Sequence, residues 1–368
     1  MALLLKQKLQ LTLMYEATPG KLVEYPLGDQ CHLTELCISE STKLSIPTIN
    51  LILEDGGKFF SNYPVLDGRL LVVSLMAESV ALTQSVFRVY SYKSDFNGKN
   101  DTYTISGYFD CPKYWCSSSC QGYVGTSGEV IQQVATLCGL KADTVTTHDS
   151  QLWMQGNKTY HDFVKYLTDN GFKANNSYLV SGVTLDGTLI HRDVTKLTSP
   201  LYKVVTHGQS NNCYTATDFD TRSNSGVNNI TGGYASVMVN DNLNTITSYK
   251  QVTVNNAEPN MSVNSDLVKT IKRNKVYFSD YGVDCNESYW LGRYQNDRLS
   301  KVYSVVGEFM FDSPTKLSLL TPFQVAVNDT RDTTNDKESG LYIVDSRTIY
   351  IRGITYAERI SASRKGFN

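Results

Sequence analysis

One helical stretch inside an otherwise alternating chain constrains the fold more than any other feature. Thr126-Ser-Gly-Glu129 has the form of a capping box, in which hydroxyl and carboxylate each satisfy an orphan backbone N–H at a helix start. Val130, Ile131, Val134, Leu137 and Cys138 then recur at helical spacing, and Gly139 supplies the stop. Thr159 caps a second helix whose buried face is Tyr160, Phe163, Val164 and Leu167, with Gly171 at its end. A hairpin follows, Tyr178–Leu185 and Thr188–Asp193, turned by Asp186-Gly187. Residues 111–199 therefore read as a helix–helix–hairpin insertion of α/β type.

What surrounds this insertion alternates with a period of two. Leu3, Leu5, Leu9, Leu11, Leu13 and Tyr15 share one side of a strand, opposite Lys6, Lys8, Gln10 and Thr12. Further strands are predicted at Thr48–Leu53, Arg69–Met76, Val86–Tyr92 and Thr102–Phe109, the last two joined by a turn at Asn97-Gly98. Such a series over residues 1–110 predicts a small barrel or sandwich. From residue 200 to 368 the chain is β again, with Val204–His207, Ser236–Asn240, Ser304–Phe311, Leu317–Leu320, Gln324–Val327, Leu341–Asp345, Arg347–Arg352 and Ile354–Ser361 as strands. An insertion at about 210–300 interrupts this region. It holds the polar loop Thr221–Gly233, a short helix at Asn264–Lys272 and a longer one at Glu287–Leu299 that carries Trp290, Leu291 and Tyr294 inward. The fold class is mainly β with an α/β insertion, and no internal sequence repeat is visible.

Charge and targeting signals narrow the function. With Lys plus Arg at 34 and Asp plus Glu at 36, there is no basic surplus to neutralise nucleic-acid phosphates. The low charged fraction, with 24 Tyr, suits proteins that bury surface in assemblies. MALLLKQKLQ lacks the order of a secretory signal, and no window approaches 18 apolar residues, so no membrane-spanning segment is expected. The sequons at Asn157 and Asn229 read as chance in an Asn- and Thr-rich chain, which is expected to stay in a cytoplasm or to leave it inside an assembly.

Enzymatic patterns are incomplete. His191-Arg192-Asp193 matches the first letters of a protein-kinase catalytic loop, but Thr198 stands where that loop needs Asn, and no Gly-rich loop accompanies it. Glu129, Asp149, Asp162, Asp169 and Asp186 are available as a glycosidase pair, yet no spacing sets two of them across a cleft. Glu129 is better explained as a cap and Asp186 as a turn residue. His32, His148, His161, His191 and His207 lack metal-site spacing. Gly-Thr-Ser-Gly at 125–128 precedes a helix, where anions bind, but lacks the lysine of a nucleotide loop.

The cysteines form the one cluster with chemical content. Cys111, Cys116 and Cys120 are spaced C-x4-C-x3-C, and Cys138 ends the first helix. Four thiolates brought together would ligate zinc or an iron–sulfur cluster; the alternative is buried, reduced thiols in a small irregular unit. Cys31 and Cys37 are a further possible pair, disfavoured as a disulfide in a reducing compartment. Cys213 and Cys285 are solitary.

The order of parts carries a resemblance. A β domain leads to a helix ending in Gly, then Trp153 and Gln155, then YHDFVKYLTDNGF with Phe163, Leu167 and Gly171 at recurring places, then a hairpin. In the last third a helix around Tyr289–Leu299 leads to VVGEFMF, KLSLLTPFQVAVND and GLYIVDSRTIYIRGITYAERISASRKG. This arrangement resembles the baseplate-hub and late-control-D proteins of contractile phage tails, a family that includes the hub part of the type VI secretion VgrG spike. The chain departs from it at Thr321-Pro322, where members often carry Gly, and in its Cys-rich segment. The resemblance implies two small hub-type β-barrels per chain and a homotrimer forming a pseudo-six-fold ring. Such a ring joins a hexameric tail tube to a trimeric central spike, contacts baseplate wedge or tape-measure proteins, and leaves a channel for DNA. It implies a virion tail protein assembled in the host cytoplasm, without enzymatic activity or cofactor. The rival readings are a tail-tip cell-wall hydrolase and a tail-tip module carrying zinc or an Fe–S cluster on Cys111, Cys116, Cys120 and Cys138.

Overall fold

The computed structural model describes residues 7–18, 21–27, 31–43, 46–64, 68–77, 80–96, 100–206, 213–223, 236–240, 250–251, 274–278, 287–303, 305–327, 338–353 and 355–365. The first β region holds β1 (Gln7–Thr18), β2 (Lys21–Pro26), β3 (His32–Ser41), β4 (Thr48–Asp55), the helical turn α1 (Phe59–Asn62), β5 (Leu70–Ala77), β6 (Val80–Phe96) and β7 (Asp101–Phe109). Next come α2 (Pro112–Cys116), β8 (Gly122–Gly125), α3 (Ser127–Cys138), β9 (Lys141–Thr144), β10 (Gln151–Met154), α4 (Tyr160–Asn170), β11 (Leu179–Val183) and β12 (Thr188–Asp193). The last part comprises β13 (Tyr202–Val205), β14 (Tyr214–Thr215), β15 (Asp218–Ser223), β16 (Ser236–Asn240), β17 (Lys250–Gln251), β18 (Asn274–Phe278), α5 (Glu287–Val302), β19 (Val305–Phe311), β20 (Pro322–Ala326), β21 (Gly340–Arg352) and β22 (Thr355–Arg364).

The two β regions are one sheet. Its strands run β14-β13-β20-β21-β3-β4-β7-β6-β5-β1-β2, with β22, β19 and β15 branching from β21. The join is the antiparallel pair β21–β3, in register from Ser346 opposite Ser41 to Arg352 opposite Glu35. Two independent barrels are therefore not what the pairing describes: hydrogen bonds cross from one β region to the other, and among the described residues no ring of pairing closes. A strand edge with unpaired N–H and C=O groups is a template for another strand, and here β3 and β21 serve each other.

Several predicted elements change at their ends. Leu341–Asp345 and Arg347–Arg352 are one strand, β21, with a register shift between Val344 and Ser346 that leaves Asp345 as the extra residue of a bulge. Leu317–Leu320 is not a strand. Leu317, Leu319 and Leu320 are all buried, so they do not alternate, and Leu320 takes a φ of 55° as the chain turns. Two strands, β2 and β3, add to the five predicted in residues 1–110. The predicted helix at Asn264–Lys272, the Asn97-Gly98 turn and the side chains of Trp290 and Tyr294 lie outside the described residues.

Three apolar clusters hold the chain together. One packs Leu13, Leu36, Ile49, Phe87 and Ile105 of the first β region with Leu185, Ile349 and Tyr356 from later parts. The second gathers Tyr114, Val130, Val134, Trp153, Phe163 and Leu167 of the insertion with Tyr289 of α5. The third joins Val204, Phe309, Phe323, Tyr342 and Ile360. Each fully buried Leu or Phe contributes about 1.5–3 kcal/mol. Helix α5 lies across the C-terminal end of α4 at Gly292, where an added Cβ would meet the Gly171 carbonyl at 2.4 Å. A side chain there would push the helices apart.

Candidate functional site

The cysteine segment starts at the first turn of the insertion. Cys111 precedes α2, whose first position is Pro112, and Tyr114 of that turn is buried. Cys111 is buried and donates its thiol proton to the Cys138 carbonyl at 3.1 Å, one of the acceptors left open at the end of α3. Cys116 and Cys120 are exposed. The structure thus brings Cys111 and Cys138 together and leaves the other two thiols on the surface. Among the described residues no three His, Cys, Asp or Glu side chains are grouped so that they could hold a metal ion. Burial pushes the Cys138 thiol up to about 12, with the neighbouring Cys111 adding to the shift, and raises the Cys111 thiol as well. Cys31 is buried and Cys37, on β3, half-buried, and both are free thiols.

The other chemical patterns resolve into structural roles. His191 lies on β12, fully buried, with neither ring nitrogen bonded, and burial lowers it to about 4. Arg192 pairs with Asp143, and Asp193 accepts from the Tyr178 and Thr195 backbone N–H groups at 3.1 Å each. Glu129 completes the capping box by accepting from Thr126 N at 2.9 Å. Asp149 accepts from Ser127 N, Ser127 Oγ and Phe172 N at 2.9, 2.6 and 2.7 Å, tying the start of α3 to the end of α4. Asp162 pairs with the Thr159 cap, and Asp186 is held by Thr184 and Thr188 inside its turn.

One large cavity, about 870 Å³, lies between α4, β11, α5 and the C-terminal strands. Lys165 and Asp169 face it from α4, Arg293 and Asp297 from α5, Tyr178 from the insertion, and Asp345 from the β21 bulge. Burial raises the Asp345 carboxyl to about 6, against the lowering effect of its Ser363 hydrogen bond and of Lys43. Asp169 is also raised by burial, with Lys165 and Arg293 opposing. The histidine on the wall, His161, bonds Asp162 at 3.2 Å, and Ser300 Oγ donates to the Asp297 carbonyl at 2.8 Å. The described wall therefore contains no serine–histidine pair. Its charges, three cationic and three acidic side chains, are mixed rather than focused on one reacting atom.

The surface carries the other candidate features. On β6, Tyr90, Tyr92 and Phe96 are exposed, Phe96 by 67%. Tyr90 stacks on Tyr108 at 4.3 Å, and Tyr108 in turn meets Trp115 at 4.7 Å. Val124 and Leu152 are opposite each other on β8 and β10 and both exposed, Val124 by 78%. None of these positions stood out in the sequence, because exposure of an aromatic on a strand has no signature separate from burial.

No family model matches the chain, and no curated protein matches it. Solved structures do. The 43 kDa tail protein of prophage MuSo2 from Shewanella oneidensis superposes with a TM-score of 0.62 at 14% identity, over 97% of this chain and 98% of that one. The tail protein from Neisseria meningitidis MC58 gives 0.58 at 11% identity, with 98% of each chain covered. A third is the E. coli c3393 protein, described as a type VI secretion component with structural similarity to the T4 tail proteins gp27 and gp5. It gives 0.51 at 9% identity, over 90% of this chain and 73% of that one. The chain shares the fold of these tail proteins across nearly its whole length.

Proposed function

We propose that the protein is the structural hub of a phage tail baseplate, a homotrimeric adapter between a hexameric tail tube and a trimeric central spike. The observation that carries this reading is the end-to-end fold likeness to a prophage tail protein, 97% of this chain against 98% of the other. The likeness extends through the insertion as well as the β regions, so it concerns the arrangement of the whole chain. In the proposed ring, residues 1–110 and 200–368 each supply one tube-like unit, and three chains supply six. The β3–β21 pairing fits that role: two units hydrogen-bonded through one sheet hold a fixed angle to each other, as a ring of defined symmetry requires. The insertion, residues 111–199, braces the outside and faces wedge or tape-measure proteins. A net charge of −2 leaves DNA free to pass through the central channel without being held. The protein acts without catalysis or cofactor, in the virion tail, after assembly in the host cytoplasm.

The decisive measurement is mass in solution together with negative-stain images. The expected species has roughly 123 kDa, three times the 41.1 kDa chain, and shows a ring with a central opening. A monomer that persists at high concentration, with no ring when tube or spike protein is added, overturns the reading.

A further inference from the structure

Cys111 and Cys138 are 27 positions apart in sequence, yet the Cys111 thiol rests 3.1 Å from the Cys138 carbonyl oxygen. Cys111 belongs to the apolar cluster at the centre of the insertion, and the half-buried Cys138 packs against it. A residue's carbonyl oxygen and its Cβ are about 3 Å apart, which puts the Cys138 Cβ within roughly 6 Å of the Cys111 sulfur. A disulfide sets each sulfur about 3 Å from the partner's Cβ, so a side-chain rotation and a movement of up to about 3 Å close the pair. The other two thiols of the segment, Cys116 and Cys120, are exposed and offer the competing chemistry. We propose that Cys111 and Cys138 are a redox pair that closes to an intramolecular disulfide in an oxidising compartment, stapling the start of the insertion to the end of α3.

The two thiols differ in access, and this sets the order of events. Cys138 is half-buried and Cys111 buried. With glutathione disulfide as oxidant, the Cys138 thiolate attacks one glutathione sulfur, forming a mixed disulfide and releasing one glutathione thiolate, which takes up the proton Cys138 lost. The Cys111 thiolate then attacks the Cys138 sulfur, forming the protein disulfide and expelling the second glutathione thiolate. That thiolate takes up the proton Cys111 lost. Two protein thiols are oxidised and one glutathione disulfide is reduced to two thiols. Burial holds both protein thiols protonated, so closure is slow at neutral pH and accelerates as pH rises. In a glutathione-reduced cytoplasm the pair stays open. The inference does not depend on the hub reading, since it concerns the chain's own thiols.

Peptide mapping after incubation in glutathione disulfide, with free thiols alkylated under denaturing conditions, tests it. The expected product is a linked peptide pair containing Cys111 and Cys138, with a 2 Da mass loss. It should form about tenfold faster for each pH unit between 7 and 9, and the linked protein should melt several degrees higher. C116S/C120S should leave the linkage in place. C111S, whose hydroxyl still donates to the Cys138 carbonyl and preserves the fold, should abolish it. Recovery of Cys111 and Cys138 as alkylated thiols overturns the proposal, whether the oxidant has modified only Cys116 and Cys120 or nothing at all.

Discussion

Two buried polar clusters tie the parts of this chain together, and they are built on opposite principles. At the join of the two β regions, Arg347 of β21 stands opposite Glu40 of β3 and bonds Glu358 of β22, Nε to Oε1, at 2.7 Å. Glu358 also accepts from Thr315 N, Thr315 Oγ1 and Tyr356 OH at 2.8, 2.7 and 2.9 Å. Between α5 and the insertion, the cluster is neutral. Asn296 donates to the carbonyls of Thr168 and Asp169 at 2.9 and 3.2 Å and accepts from Leu179 N at 3.0 Å. Gln295 donates to the carbonyls of Ala174 and Ser177 at 2.8 Å each and accepts from Asn176 N at 3.0 Å. One guanidinium serves two carboxylates in the first cluster. In the second, each amide gives and receives. The first cluster depends on buried charge, whereas the bonds of Gln295 and Asn296 in the second involve no ionisable side chain.

Removing the guanidinium should have the largest effect. Arg347→Met leaves Glu358 and Glu40 buried without a cation, a loss of about 3–5 kcal/mol in urea unfolding at pH 7.5. Adding Glu358→Leu to that variant should restore part of the loss, because an apolar pair of similar volume carries no buried charge. A single Arg347→Met change of less than about 1 kcal/mol would show that the pair is not what holds β21 in place.

Glu40 makes the join pH-dependent. Burial raises its carboxyl to about 7, against the lowering effect of Arg347 and the Leu185 N–H, while Glu358 and Asp186 raise it further. Only Oε2 is bonded, by Leu185 N at 2.7 Å; Oε1 has no hydrogen-bond partner. A carboxyl raised on folding contributes stability that is fully present below its ordinary value, 4.5, and is lost as pH climbs through about 7. The loss amounts to about 3 kcal/mol at most. Asp345 acts in the same direction near 6, whereas buried His191 works the other way, costing stability as pH falls below 6.5. Comparing Glu40→Gln with the native chain isolates one contribution from the rest. The stability difference between them should grow in favour of the glutamine variant from pH 5 to 8, and a difference that stays flat would sink the assignment.

How far the sequence disclosed this architecture follows from the range of each interaction. The insertion helices were legible because their signals are local: the Thr126 capping box forms, Thr159 caps α4, and Gly139 takes a φ of 76° at the end of α3. Gly171 was legible as an end but for a different reason than expected. Its φ is −69°, so it makes no left-handed stop; an added Cβ would instead meet Leu167 O and Ser127 Oγ at 2.8 Å. The β3–β21 join was not legible. Its inward positions read Leu36, Ile38, Glu40, and the glutamate breaks the apolar alternation for a partner, Arg347, far along the chain. The cysteine spacing showed that thiols were near one another in sequence, but only the turn of α2 against the end of α3 decides which two meet.

Asn296 also explains how α4 can end without a left-handed residue. The last carbonyls of a helix need partners, and here they come from α5 across the interface rather than from the chain's own next turn. Asn296→Ala leaves those carbonyls and the Leu179 N–H unsatisfied in a buried setting, with an expected loss of about 2 kcal/mol. Because no ionisable group takes part in its bonds, the loss should be the same at pH 5.5 and pH 8, in contrast to the Glu40 comparison. Hydrogen exchange sharpens the point. In Asn296→Ala the amides of the last turn of α4 and of Leu179 should exchange faster while those of the β3–β21 pair keep their protection. Equal acceleration at both places would mean that the docked helix and the join between the β regions open as a single unit rather than as two.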